Sequence, residues 1–186
     1  LPELPLSQWF YLASLGEYWQ KVYEETAQLA KSRATKLAFA PGSHQLEGNP
    51  TLLQGILAST TILFLNNEEG QKIAGVKTEE MRELLTKLQS LGPKIVSLTD
   101  VINGSWAILE DGKMLHLGIF PCNIVERTGA GDAYAGGFLT GFITGLPVSR
   151  AMAWGAVNAA SVIEKVGAQT GLLTKDEIEK KLTDNP

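Results

Sequence analysis

What most narrows the folds open to this chain is its alternation of short, compact apolar runs with longer amphipathic stretches. Trp9 to Leu15 is an apolar run closed by Gly16, and Tyr18 to Arg33 sets Trp19, Val22, Tyr23, Ala27 and Ala30 among charges, a helical pattern. Thr35 to Ala40 repeats the compact run and ends in the turn Pro41-Gly42-Ser43. Leu52 to Ala58 predicts a short helix, Thr61 to Leu65 a buried strand, and Lys94 to Leu98 another. Between those strands lies the clearest amphipathic helix, Thr78 to Leu91. Thr78-Glu79-Glu80-Met81 supplies its cap and acidic first turn, Leu84, Leu85 and Leu88 its apolar stripe, and Gly92-Pro93 its stop. Buried strands alternating with helices imply parallel pairing, with helices on the faces. In such sheets the reactive residues belong at the carboxyl ends of the strands.

The rest of the chain fits that frame. Ser105 to Glu110, Asp111-Gly112 and Lys113 to Leu117 predict a hairpin on the preferred Asp-Gly turn. Gly145-Leu146-Pro147 ends a helix over Ala133 to Phe142. Ser149 is read as the cap of the next, Arg150 to Val166, whose Ala151, Ala153, Gly155, Ala156, Ala159 and Ala160 permit close packing. Gly167-Ala168-Gln169 reads as a turn, and Thr174-Lys175-Asp176-Glu177 starts a last polar helix to Leu182. A chain of 186 residues, 44% hydrophobic and 19% charged, can bury a sizeable core, and one domain is the expectation. The net charge of −4 argues against nucleic acid or an anionic membrane as the main partner. Cys122 is single, which excludes an internal disulfide and a cysteine zinc cluster. It is read as a small packed residue near a strand entering the loop described next. No uncharged run approaches the roughly 20 residues of a membrane span and no basic-then-apolar leader is present, so the expected location is cytoplasmic. His44 and His116 have no ligand-like partners in sequence and are assigned surface or structural roles.

The chemistry concentrates in Glu126-Arg127-Thr128-Gly129-Ala130-Gly131-Asp132-Ala133-Tyr134. Gly129 and Gly131 lack a Cβ, so the backbone can bend sharply and bring several N–H groups to one spot. The apolar run that follows puts a helix N-terminus there, and its partial positive charge stabilises a phosphate. Asp132, the first acid inside the helix, is placed to take a proton from an attacking hydroxyl. The bland alternative is a tight turn with an Asp N-cap. The dinucleotide fingerprint GxGxxG fails at Tyr134, and GxxxxGK[ST] is absent from the chain. Asn66, Asn67, Glu68 and Glu69 follow directly on the strand Thr61 to Leu65, where both a helix start and a ligand site are open. Asn158, polar on a helix of small residues, is either a satisfied core amide or a ligand contact.

Thr128 to Asp132 resembles the second signature of the ribokinase-like (PfkB) carbohydrate kinases, Asp-Thr-x-Gly-Ala-Gly-Asp, with Glu126 and Arg127 in place of the leading Asp-Thr. The resemblance implies a three-layer α/β/α sandwich with a mostly parallel sheet. It makes Gly129, Ala130 and Gly131 the anion hole for a transferring phosphoryl group and Asp132 the catalytic base, with Thr128 beside the nucleotide. Asn66 and Glu69 match the family's Asn-x-x-Glu, which places Mg²⁺ through water together with the nucleotide phosphates, a role that suits an ion that keeps most of its own waters. Thr99 and Gly104 fit the family's Thr-x-Gly-x-x-Gly over the nucleotide, with Val101 where a glycine is usual, and Asn158 falls near the adenine. ATP and Mg²⁺ are the implied cofactors, with a monovalent cation beside them.

The family's members have about 300 residues by that resemblance, and their sugar pocket and lid come from the first third. The chain opens Leu1-Pro2-Glu3-Leu4-Pro5-Leu6, without an initiating Met, and is read as the C-terminal, nucleotide-binding and catalytic part of the fold. The expected reaction is transfer of the ATP γ-phosphoryl to a sugar hydroxyl, with a nucleoside or a sugar phosphate as other acceptors. A non-catalytic nucleotide-binding or regulatory piece is the competing reading. Missing strands would leave a sheet edge unpaired, which implies a homodimer through that edge.

Overall fold

The computed structural model describes residues 6–185. The opening Leu1-Pro2-Glu3-Leu4-Pro5 lies outside them. The described chain contains one six-stranded sheet in the order β1-β2-β3-β4-β5-β6. The strands are β1 Trp9–Leu12, β2 Lys36–Phe39, β3 Ile62–Asn66, β4 Ile95–Asp100, β5 Gly104–Ile108 and β6 Met114–Leu117. β1 and β3 each pair parallel with β2, in registers that set Phe10 against Leu37 and Ala38 against Ile62. β5 and β6 form the expected hairpin, closed by Leu109 N–H to the Lys113 carbonyl at 2.9 Å and Gly112 N–H to the Leu109 carbonyl at 2.8 Å.

By its contacts the chain divides into two compact units. The first runs through Leu98 and includes Trp106–Met114; the second comprises Thr99–Ser105 and the chain from Leu115 onward. The first unit holds α1 Trp19–Arg33, α2 Ser43–Leu46, α3 Pro50–Leu57, α4 Asn67–Ala74 and α5 Met81–Ser90. Its core packs Tyr23, Leu37, Phe39, Ile56, Leu63, Leu84, Leu85, Leu88, Val96 and Leu98, all essentially buried. The Leu84, Leu85 and Leu88 stripe read from sequence is thus the buried face of α5. Tyr23 meets Trp19 and Phe39 edge-on at 5.0 and 5.4 Å, and its phenol donates to the Ala13 carbonyl at 2.8 Å.

That bond and one from Gln45 explain why β1 stops at Leu12 rather than Leu15. Gln45 is fully buried; its Nε2 donates to the Leu15 carbonyl at 2.6 Å, and its Oε1 accepts from Ser14 Oγ and Gly42 N–H, each at 3.0 Å. The backbone beyond Leu12 is held by side chains instead of a neighbouring strand. Pro41-Gly42-Ser43 does turn, but it leads straight into the one-turn helix α2, which the sequence pattern did not indicate. At α5 the N-cap is Glu80, without a side-chain bond. Thr78 works from outside the helix, accepting from Glu80 N–H at 3.1 Å and donating to Glu83 at 2.9 Å.

The second unit holds α6 Ala130–Ile143, α7 Val148–Ile163 and α8 Lys175–Asp184. α6 and α7 approach closely because both are made of small residues. A Cβ on Gly137 would lie 2.8 Å from the Trp154 carbonyl oxygen, and one on Gly155 would lie 2.7 Å from that of Tyr134. The expected stripe on α7 is therefore realised at Gly155 and at Ala151, which backs Gly141. α7 begins at Val148 on Pro147 and ends at Ile163, so Ser149 lies inside the helix and is not its cap. Trp154, Val157 and Ile178 form the core against α8, where Trp154 Nε1 donates to Glu179 at 2.6 Å. Arg150 pairs with the same carboxylate. No strand leads into the Gly-rich loop: residues 118–129 are irregular, and half-buried Cys122 sits in that segment. Among the described residues no helix is long and apolar enough to cross a membrane.

Candidate active site

The N-terminus of α6 is built by Gly129. Its φ of 82° lies in the left-handed region, and a Cβ there would come within 2.7 to 2.8 Å of Ala168. Only glycine combines that dihedral with that approach. Gly129 is the N-cap and offers no side chain to the helix; the first turn carries a single acid, Asp132, whose side chain is exposed. Asp132 is therefore not the N-cap that the bare tetrapeptide also allowed. Ala130 N–H is drawn into a long turn bond of 3.3 Å with the Arg127 carbonyl. Among the described residues the amides of Gly129, Gly131 and Asp132 have no acceptor. A helix start of this kind, with unpaired donors and no capping oxygen, suits a phosphate.

A turn behind this loop holds it in place. Val125 and Glu126 both donate their N–H to the Ile163 carbonyl at the end of α7, at 2.8 and 3.1 Å. The Glu126 carboxylate accepts from Gly167 N–H at 2.9 Å, and the Thr128 hydroxyl beside it, together with that bond, holds its pKa below the usual range. Gly167 and Ala168, expected as a turn at the nucleotide edge, thus form the seat of Gly129. Asn158 adds a second tie: Nδ2 donates to the Ala133 carbonyl in the first turn of α6 at 2.8 Å, and Oδ1 accepts from Leu173 N–H at 3.0 Å. It is buried at 5% exposure, so the satisfied-amide alternative describes its geometry.

Thr99 and Gly104 bracket a turn at the carboxyl end of β4. Asp100 accepts from Ile102 N–H at 3.1 Å and Asn103 Nδ2 at 3.2 Å, leaving Val101 and Ile102 64% and 77% exposed. Gly104 has φ 89°, and a Cβ would lie 2.1 Å from the Leu117 carbonyl oxygen, so the start of β5 demands glycine for packing alone. His116 contacts the Asn103 carbonyl at 2.9 Å on the same turn, a structural role.

Asn66 and Glu69 belong to the first unit. They form a reciprocal capping box on α4, with Asn66 Oδ1 accepting from Glu69 N–H and Glu69 Oε2 from Asn66 N–H, each at 2.9 Å. No group of three or more His, Cys, Asp or Glu gathers in a metal-holding arrangement among the described residues.

The sequence profile of the pfkB family carbohydrate kinases matches residues 3–175. The chain belongs to that family. This pfkB chain is 26% identical over 160 residues to a 5-dehydro-2-deoxygluconokinase of Shouchella clausii, covering 83% of the chain and 49% of the relative. It is 28% identical over 146 residues to a nucleoside kinase of Methanocaldococcus jannaschii, covering 78% and 47%. The chain spans about half the length of the curated relatives it matches. In fold it is similar to a candidate ribokinase II of E. coli solved with ATP and Mg²⁺, with a TM-score of 0.84 at 18% identity over 95% of this chain and 59% of that one. The fold is that of the ribokinase-like kinases, as the resemblance at Thr128 to Asp132 implied.

Proposed function

We propose that this chain is the nucleotide-binding and catalytic part of an ATP-dependent kinase acting on a hydroxyl of a sugar or nucleoside. The observation that carries this reading is the uncapped start of α6, where three amides without protein acceptors stand beside the exposed Asp132. The amides of Gly129, Gly131 and Asp132 stabilise the charge on the transferring phosphoryl group, with Ala130 keeping their loop closed. Asp132 would take the proton from the acceptor hydroxyl as its oxygen bonds to the γ-phosphorus of ATP, while the bond from that phosphorus to the β,γ-bridging oxygen breaks and ADP leaves. Thr128 and Asn158 hold the loop and the first helical turn in position. Thr99 and Gly104 shape the β4–β5 turn that would lie along the nucleotide. Bound ATP supplies the phosphoryl group and Mg²⁺ neutralises its charge. Half-exposed Glu69, a hard oxygen donor at a strand end, would hold the ion through water, with Asn66 orienting it. The edge position of β1 supports self-association through that strand.

Acceptor positioning contributes about 7 to 11 kcal/mol in well-oriented transfers, and the residues that would hold the acceptor are expected in the half of the relatives that this chain does not match. Residues 1–186 alone should therefore bind ATP·Mg weakly, in the high micromolar range or above, and turn over no acceptor above solvent background. Calorimetry with ATP·Mg and a coupled assay over pentoses, hexoses and nucleosides, run with this chain and with a protein that also carries the acceptor-binding half, test both statements. Absence of ATP·Mg binding would overturn the reading. Robust turnover by this chain alone would place the acceptor site within it, and binding without turnover in the longer protein would favour a regulatory nucleotide-binding role.

A further inference from the structure

Glu126 stands where the family signature has a shorter acid, and the phosphoryl-transfer chemistry does not use it. We infer that Glu126 is a positioning residue: its carboxylate clamps the Gly167-Ala168 turn beneath Gly129 and so holds the anion loop in its binding shape before any ligand arrives. The inference rests on the reading of Gly129 to Gly131 as the phosphoryl loop.

The geometry is a closed circuit within the second unit. The backbone of Val125 and Glu126 is tied to the end of α7 through the Ile163 carbonyl. The Glu126 side chain then reaches Gly167, 41 residues on, at 2.9 Å. Gly167 itself has φ 92°, a conformation that a charged acceptor on its amide helps to hold, and the next residue, Ala168, is the surface against which Gly129 is pressed. The carboxylate therefore ties the chain entering the loop to the turn on which Gly129, at φ 82°, rests. The amides of Gly129, Gly131 and Asp132 are preorganised by this contact, which is worth more at the moment of reaction than in the resting chain. Arg127 and Thr128 lie inside the circuit, so a change at Glu126 reaches the loop without touching a ligand.

The sign of the pH effect follows from the lowered pKa of Glu126. The clamp is present above the ordinary carboxylate range and is lost as pH falls through the lowered folded value. The test is amide NMR on the chain together with ATP·Mg titration, for the wild type, Glu126→Gln and Glu126→Ala. In the wild type the Gly167 amide should titrate with an apparent pKa below the usual Glu value, and the Gly129 and Gly131 amides should move with it. In Glu126→Ala that transition should vanish, the Gly129 and Gly131 resonances should shift or broaden while the helical signal is unchanged, and ATP·Mg affinity should fall about three- to tenfold. Glu126→Gln, which keeps length but not charge, should lose the pH transition with a smaller loss of affinity, and it serves if the alanine variant does not fold. A Gly167 amide that ignores pH, or Gly129 and Gly131 amides unmoved in either variant, would overturn the clamp. Failure of the wild type to bind ATP·Mg would instead count against the kinase reading, and the Gly167 titration would still decide the clamp.

Discussion

The starts of α4 and α6 are two answers to the same physical problem. Each follows irregular or strand backbone and leaves its first amides without helical acceptors. At α4 the chain satisfies them itself, with Asn66 and Glu69 exchanging both bonds of a capping box, as Thr174 and Glu177 also do on α8. At α6 the cap is a left-handed glycine with no side chain, and the acid of the first turn is exposed. A capped start contributes stability and has little left to offer an anion. An uncapped one gives up roughly 1 kcal/mol of capping and keeps its donors for a ligand.

The sharpest way to break that comparison is Asp132→Asn, which keeps size and removes basicity. In a protein carrying both halves, phosphoryl transfer should fall by about 10²- to 10⁴-fold with ATP affinity within a few fold. Retention of more than about a tenth of the turnover, far outside the effect of losing a general base, would remove Asp132 from that role.

Next in size is the pair Gly129→Ala and Gly131→Ala. The first forces a Cβ into the left-handed region and against Ala168, and should destabilise the second unit by about 1 to 3 kcal/mol in denaturant melts. Gly131 is helical, with open space where its Cβ would stand, so its replacement should stabilise by up to about 1 kcal/mol while weakening ATP·Mg binding. Parallel loss of stability and binding in both variants would mean that the loop is only a helix start.

The smallest effect comes from α4. Gln serves the capping box as Glu does, so Glu69→Gln should change stability by less than about 0.5 kcal/mol, yet raise the Mg²⁺ requirement of the full-length reaction and lower its rate. Asn66→Ala removes the cap and should cost about 1 kcal/mol. An unchanged Mg²⁺ titration for Glu69→Gln would leave Glu69 as a capping residue and nothing more.

Much of this was legible in the chain itself. Unbroken apolar runs between amphipathic stretches determine strands covered on both faces, and that periodicity is local, which is why β2 to β6 and α5 stand close to where the pattern placed them. Gly-Ala-Gly-Asp before an apolar helix likewise determines a bend, a helix start and an acid in its first turn, because glycine's freedom and the helix dipole are properties of a few consecutive residues. Other features depended on partners distant in the chain. Gln45 holding Ser14 and Leu15, Asn158 bridging Ala133 and Leu173, and Glu126 reaching Gly167 are hydrogen bonds across 15 to 41 residues. A side chain's choice among such acceptors and donors is settled only when folding brings them within 3 Å. The same holds for the amide that the Gly-rich loop keeps for itself: Ala130 is bonded inward, and Asp132 brings an amide as well as a carboxylate to the site, because the left-handed turn at Gly129 and its seat on Ala168 set which donors face a backbone acceptor and which do not.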